Sequence, residues 1–207
     1  MPEAAYPESL LSRRLKVGTQ AVHEALDRRI TSAAPFADRQ RYSRFLRVQL
    51  RLHHVTAPLY RDPRLQADLP GLAALDRLEA VKADCIDLGI PEDALERDRR
   101  AAAAVTIPGR PEALGWIYTH EGSRMGAAVL LREARQGLAL SETYGARHMA
   151  AHTDGRAPHW RDFKTTLDAI ALTPLEADRA VTGARAAFVF VQEAVDRLMP
   201  VERPAMP

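Results

Sequence analysis

His23 is the first residue in this sequence whose neighbours could support chemistry. It borders an apolar stripe of Leu11, Leu15, Val22, Leu26 and Ile30, a repeat that predicts a helix to about residue 31, with Ser9 before it as N-cap. Thr19 lies one turn before His23 and Asp27 one turn after it. Lys16 lies two turns before, about 10 Å along the axis, and all four share a face. A neutral imidazole is a good iron ligand. A hydroxyl or carboxylate beside it can hold the other ring nitrogen and fix the tautomer. A lysine at that distance can meet an anionic group at the edge of a large planar ligand. By itself, though, a helix histidine beside an apolar face is more often structural.

The second feature is a glycine stripe. Gly115, Gly122 and Gly126 fall on one face of a long predicted helix running from Pro111 to about Gly137. Each costs about 1 kcal/mol relative to alanine in a helix interior, so three on one stripe call for a compensating reason. Either a neighbouring helix packs closely through them, or a flat ligand approaches the backbone, with a kink that admits it. Together, the histidine helix and the glycine helix suggest a flat apolar ligand held between them.

Helical periodicity dominates the rest of the chain. A helix begins near Asp38, carries Phe45, Leu46, Leu50, Leu52 and Val55, and ends at Pro58 or slightly beyond. Pro70-Gly71 opens another, with Leu72, Leu75, Leu78, Val81 and Ile86, which stops near Gly89. Pro91 starts a short alanine-rich helix reaching about Ala104, and Pro108-Gly109 is a turn. Residues 141–159 read as a short helix plus loop, Trp160–Leu172 as a helix, and Pro174 starts a last helix ending near Met199. No alternating strand pair flanks a two-residue turn. The expectation is one all-α, multi-helical domain over residues 9–199, with an N-terminal extension at 1–8 and a disordered tail at 200–207.

Composition excludes several classes. A chain of 207 residues can bury a sufficient core without disulfides or a structural metal. The net charge of +2 does not suggest a nucleic-acid binder. The opening Met-Pro-Glu-Ala-Ala-Tyr-Pro has neither the basic region nor the apolar run of a signal peptide. Cys85 is the only cysteine, which fits a reducing compartment. No apolar stretch is long enough to span a bilayer. The expected location is the cytoplasm.

At this point the residues resemble a known family. Leu15-Lys16-Val17-Gly18-Thr19-Gln20-Ala21-Val22-His23 is similar to the proximal segment of heme oxygenases. Tyr118-Thr119-His120-Glu121-Gly122-Ser123-Arg124-Met125-Gly126 is similar to their distal helix, in a form seen in bacterial members, including those found with bacteriophytochromes. His159-Trp160-Arg161-Asp162-Phe163 resembles a later helix that also faces the heme. The resemblance implies a single-domain heme-oxygenase-like helical bundle in which heme b is both cofactor and substrate. O2 and electrons from a ferredoxin- or flavodoxin-type donor, or an NADPH-dependent reductase, open the ring to biliverdin, CO and iron. A bacteriophytochrome is a possible acceptor of the biliverdin.

The same resemblance implies residue roles. His23 is the axial iron ligand. Gly122 and Gly126 let the distal backbone reach the macrocycle, and Lys16 pairs with a propionate, as do Tyr118 and one of Arg161 or Lys164. Thr19, Asp27, Thr119 and Ser123 complete the cofactor-binding set. No side chain acts as a catalyst beyond the heme and a distal water held by Gly122, Ser123 and Gly126. Two departures stand out. Ser123 occupies a place where many members carry an aspartate that orders water, and Asp27 one where they often carry glutamate. Both leave the cleaved meso position open.

Other readings rank lower. A heme carrier or sensor on the same scaffold would share His23 without turning heme over. A di-iron carboxylate oxidase needs Glu-x-x-His motifs, and the sequence has none. A helical thiamin-degrading enzyme needs a placed catalytic cysteine, whereas Cys85 reads as a small core residue. His148 and His152 have metal-pair spacing but no evident third ligand. His53, His54, His120 and His159 show no pattern that singles them out.

Overall fold

The helix boundaries follow from local capping chemistry. In a computed structural model that describes residues 10–200, eight α-helices succeed one another: α1 Leu11–Ser32, α2 Arg39–Arg61, α3 Pro63–Asp68, α4 Leu78–Asp87, α5 Glu92–Ala103, α6 Arg110–Leu138, α7 Arg156–Asp168 and α8 Pro174–Leu198. Asp38 caps α2 by accepting from the Arg41 backbone N–H at 2.8 Å. Thr173 and Glu176 form a capping box at α8, with Pro174 in the first turn. The Ser9 cap expected for α1, the 1–8 extension and all but Pro200 of the tail lie outside the described residues.

Two expectations are corrected, and one short helix is added. Pro70-Gly71 does not open a continuous helix to Ile86. Leu72–Leu75 is a 3-10 turn, and the Asp76 carboxylate accepts from Leu78 N–H at 3.0 Å to start α4 afresh. Ile86 is 72 % exposed and stands off the core. The short α3 follows Asp62, which accepts from Arg64 N–H and places Pro63 at the first position, where no N–H is needed. Finally, α7 begins at Arg156 rather than Trp160, so Pro158 sits in its first turn, and it ends at Asp168 rather than Leu172.

Helices α2, α6 and α8 supply the centre of the core, with Phe45, Leu46, Leu50, Trp116, Leu131, Ala187, Val191 and Val195 buried together. α6 and α8 cross where each offers the other a glycine. A Cβ on Gly115 would lie 2.0 Å from the Ala180 carbonyl oxygen, and one on Gly183 would lie 2.2 Å from that of Glu112. Beside the crossing, Arg179 forks onto the Glu112 carboxylate at 2.7 and 2.9 Å. Every residue of α6 from Pro111 to Glu121 is buried, while Ser123, Met125, Gly126, Ala128 and Val129 are exposed. Beyond Glu121 only one side of the long helix, at Ala127, Leu131, Ala134 and Leu138, stays in the core, and the other side is exposed.

Candidate functional site

α1 turns His23 outward. Its ring meets Phe188 of α8 edge-on, with centroids 5.6 Å apart at 76°. Nδ1 lies 3.3 Å from the Asp27 carboxylate, and the side chain stays 55 % exposed. Nε2 has no hydrogen-bond partner among the described residues. Of the two groups that could hold the ring, only Asp27 stands beside it. Thr19 is buried and gives its hydroxyl proton to the Leu15 carbonyl at 2.8 Å, a bond within its own helix. Lys16 is exposed.

The glycine stripe divides. Gly115 is buried in the α8 crossing, which accounts for it by helix packing alone. A Cβ on Gly122 would meet the Trp160 ring at 3.2 Å, and one on Gly126 would meet nothing within 4 Å. Around Gly126, Met125 and Val129 are 37 % and 49 % exposed, leaving an apolar, bare-backboned surface with no protein against it.

Trp160 links this surface to the rest of the site. It packs on Tyr118 at 5.2 Å and stacks on Phe163 at 5.5 Å, while Lys164 Nζ lies 5.7 Å from its ring centroid. Tyr118 donates to the Ser12 carbonyl at 3.4 Å, which ties α6 to α1. Burial, with Asp168 nearby, raises the Tyr118 hydroxyl to about 12, so it remains a neutral donor. Arg161 is exposed, 3.4 Å from Asp162. Two further expected contacts are hydroxyls that bond the backbone. Thr119 is buried and donates to the Ala184 carbonyl at 3.4 Å, and Ser123 Oγ donates to the His120 carbonyl at 2.7 Å. Both hydroxyls are committed to backbone.

Sequence reasoning missed a buried polar chain behind Gly122. His120 Nδ1 lies 3.0 Å from both Thr56 Oγ1 and the Tyr60 hydroxyl. Thr56 donates to the Leu52 carbonyl, and Tyr60 donates to Glu121. Both oxygens therefore offer His120 only lone pairs, which assigns its proton to Nδ1. Glu121 also lies 3.3 Å from both His159 Nε2 and Arg124. His53 stacks edge-on to His120 at 4.4 Å, and its buried Nδ1 has no partner. On its other side, 6.4 Å away, is His148, whose Nδ1 lies 2.8 Å from Asp84.

Burial, reinforced by Arg124, lowers His120 to about 3, and burial with the neighbouring imidazoles holds His53 well below its usual range. Burial would raise Glu121, but Arg124 and the hydrogen bonds from His159 and Tyr60 outweigh it and keep the carboxyl ionised. The only sequence hint was His120-Glu121 immediately before Gly122. The partners come from α2, α4 and α7, at no fixed spacing.

An all-helical bundle with an outward-facing histidine on its first helix, and a long α6 that exposes Gly126 and the apolar residues beside it, is a scaffold for a flat iron-bearing ligand. The chain belongs to the heme oxygenase family, whose model matches residues 9–197. It is 39% identical over 181 residues to heme oxygenase PigA of Pseudomonas aeruginosa, covering 87% of this chain and 89% of that protein. Among solved structures it is similar to the heme oxygenase of Neisseria meningitidis, with a TM-score of 0.83 and 33% identity over 95% of this chain and 96% of the other. A more distant similarity, to the heme oxygenase of Leptospira interrogans at TM-score 0.70 and 18% identity over 91% of this chain and 99% of that one, concerns the fold alone. No helix among the described residues is long and apolar enough to cross a membrane.

Proposed function

We propose that this heme oxygenase takes heme between the His23 face of α1 and the Gly122–Gly126 face of α6, and opens it with O2 and external electrons to biliverdin, CO and iron. The observation that carries the proposal is the pairing of His23 with Asp27 on an open helix face, because it leaves Nε2 free as a neutral donor. The uncovered backbone at Gly126 and the apolar residues beside it suit a planar macrocycle.

The redox chemistry is supplied by the iron of the bound heme. The protein orients and encloses the ring. Asp27, 3.3 Å from Nδ1, would take the proton on that side of the ring and leave Nε2 to hold the iron. Lys16 would pair with a propionate, as would Tyr118 and one of Arg161 or Lys164, and these contacts would orient the ring. Thr19 and Thr119 shape the two walls through their backbone bonds. Behind the distal wall, His120, Tyr60 and Glu121 form a bonded chain that can hold and pass the protons that ring opening consumes. A ferredoxin- or flavodoxin-type donor, or an NADPH-dependent reductase, supplies the electrons. A bacteriophytochrome is a candidate acceptor for the biliverdin. The cytoplasm is the proposed compartment.

Hemin titration followed by absorbance tests the ligand. The wild-type chain is expected to saturate at one heme per chain with the spectrum of a histidine-ligated complex. His23→Ala should keep the helical circular dichroism but lose that spectrum. An unchanged spectrum in His23→Ala would assign the iron to another residue.

A further inference from the structure

Beside Glu121 and Trp160 lies a cavity of about 20 Å³ lined by Arg77, Arg124, Arg156, His152 and His159, with Met125 and Ala150 completing its wall. Three guanidiniums and one carboxylate leave two positive charges in excess around it. The carboxylate has nothing left to offer. Glu121 Oε1 is taken by Tyr60, and Oε2 is shared between His159 and Arg124, each at 3.3 Å. Arg124 also donates to the Leu75 carbonyl, and Arg156 donates to the carbonyls of Arg124 and Met149. Arg77, half-buried at the start of α4, has no hydrogen bond or ion pair among the described residues.

Like charges gathered where water is scarce repel strongly unless a counter-charge joins them. Burial and then Arg124 lower the proton affinity of Arg77 despite Glu121, and burial lowers that of Arg156 despite Glu142, with Arg124 adding to it. The two imidazoles beside the cavity, His152 and His159, stack on each other at 4.4 Å and 17°, and His159 Nε2 is already engaged by Glu121. A guanidinium presents a planar fork of N–H donors that matches a carboxylate or phosphate edge. The volume exceeds what one water needs, about 10–15 Å³.

We propose that this cavity is a binding site for a small oxyanion group, with Arg77 as its principal unpaired donor. Two sources supply that chemistry: a free ion such as phosphate, or a carboxylate of the tetrapyrrole product brought in past Trp160. The second source rests on the heme oxygenase reading, whereas the site itself does not.

The experiment uses heme-free protein. Inorganic phosphate is titrated at constant ionic strength and followed by thermal unfolding and calorimetry. The expected result is a saturable rise in Tm that is lost in Arg77→Gln, with affinity at least tenfold weaker, and kept in the surface control Arg97→Gln. Without phosphate, Arg77→Gln should itself raise Tm, because it relieves the repulsion. His23→Ala should bind phosphate as the wild type does, which separates this site from the heme site. If biliverdin competes with phosphate and its dimethyl ester does not, the product is the source. If neither competes, the ion is free in solution. Equal phosphate responses in Arg77→Gln and Arg97→Gln, or a response reproduced by chloride at the same ionic strength, would overturn the proposal.

Discussion

Asp27 sits one turn beyond His23, and their contact is the one part of the site that a single helix could disclose. Positions four apart on a helix are neighbours, so the sequence showed that a carboxylate and an imidazole could meet, and they do at 3.3 Å. Thr19 was equally close in sequence, but threonine satisfies itself against its own helix, and its hydroxyl bonds Leu15. In the proposed site Asp27 orients the ring, and losing such a partner commonly costs about 10- to 100-fold in metal affinity or activity. Asp27→Asn is therefore expected to weaken hemin affinity or turnover by about tenfold or more, measured by titration and initial rate, with Asp27→Glu restoring most of it. If Asp27→Asn matches the wild type in both, the carboxylate has no part in holding His23. The buried chain of His53, His120, Tyr60 and Glu121 was not legible at this scale. Its members come from different helices, and only the packing brings them together.

At the scale of the element, α6 has two functions in one helix. Its first half is locked into α8 through Gly115, and its second half keeps one side in the core and leaves the other open at Gly126. Sequence alone showed one stripe and offered both explanations for it. The structure assigns packing to Gly115 and leaves the ligand explanation to Gly126, and it sets Gly122 against Trp160. Two substitutions separate these roles. Gly115→Ala forces a Cβ into the Ala180 carbonyl at 2.0 Å and should destabilise the fold by at least about 1–3 kcal/mol, read from urea unfolding. Gly126→Ala enters open space, should raise helix stability by up to about 1 kcal/mol, and yet should lower hemin affinity, since a methyl group then stands where the ring lies. If Gly126→Ala binds hemin as tightly as the wild type, α6 is not the distal wall. The boundaries of α3, α4 and α7 were less legible, because Asp62 and Asp76 start helices with local side-chain bonds in stretches without a repeat long enough to read.

For the whole molecule, the fold class was legible throughout, since 3.6-residue periodicity runs along nearly every segment and strand signals are weak. The electrostatic interior was not. Two histidines held neutral deep in the bundle make its stability depend on pH in a definite direction. The folded values of His53 and His120 lie below the ordinary 6.5, that of His120 at about 3. The unfolded chain therefore binds these protons first as pH falls, and the stabilisation present above about 6.5 declines between there and about 3. Each histidine contributes about 1.4 kcal/mol per pH unit in that window. Glu121, held ionised in the fold below its ordinary 4.5, adds to the loss at the lower end. Urea unfolding is expected to show a loss of about 1.4 kcal/mol between pH 7.0 and 6.0, growing to about 2.5 kcal/mol by pH 5.5, and a flat profile from 7 to 5 would show that these histidines are not buried neutral. The central claim, that His23 anchors a heme which this chain then opens, is tested most directly by adding a reductant in air to the hemin complex and recording spectra. The account predicts that the Soret band decays while a biliverdin spectrum grows, and that His23→Ala does neither. A wild-type complex whose Soret band persists through reduction and oxygenation would contradict it and leave the chain a carrier of heme.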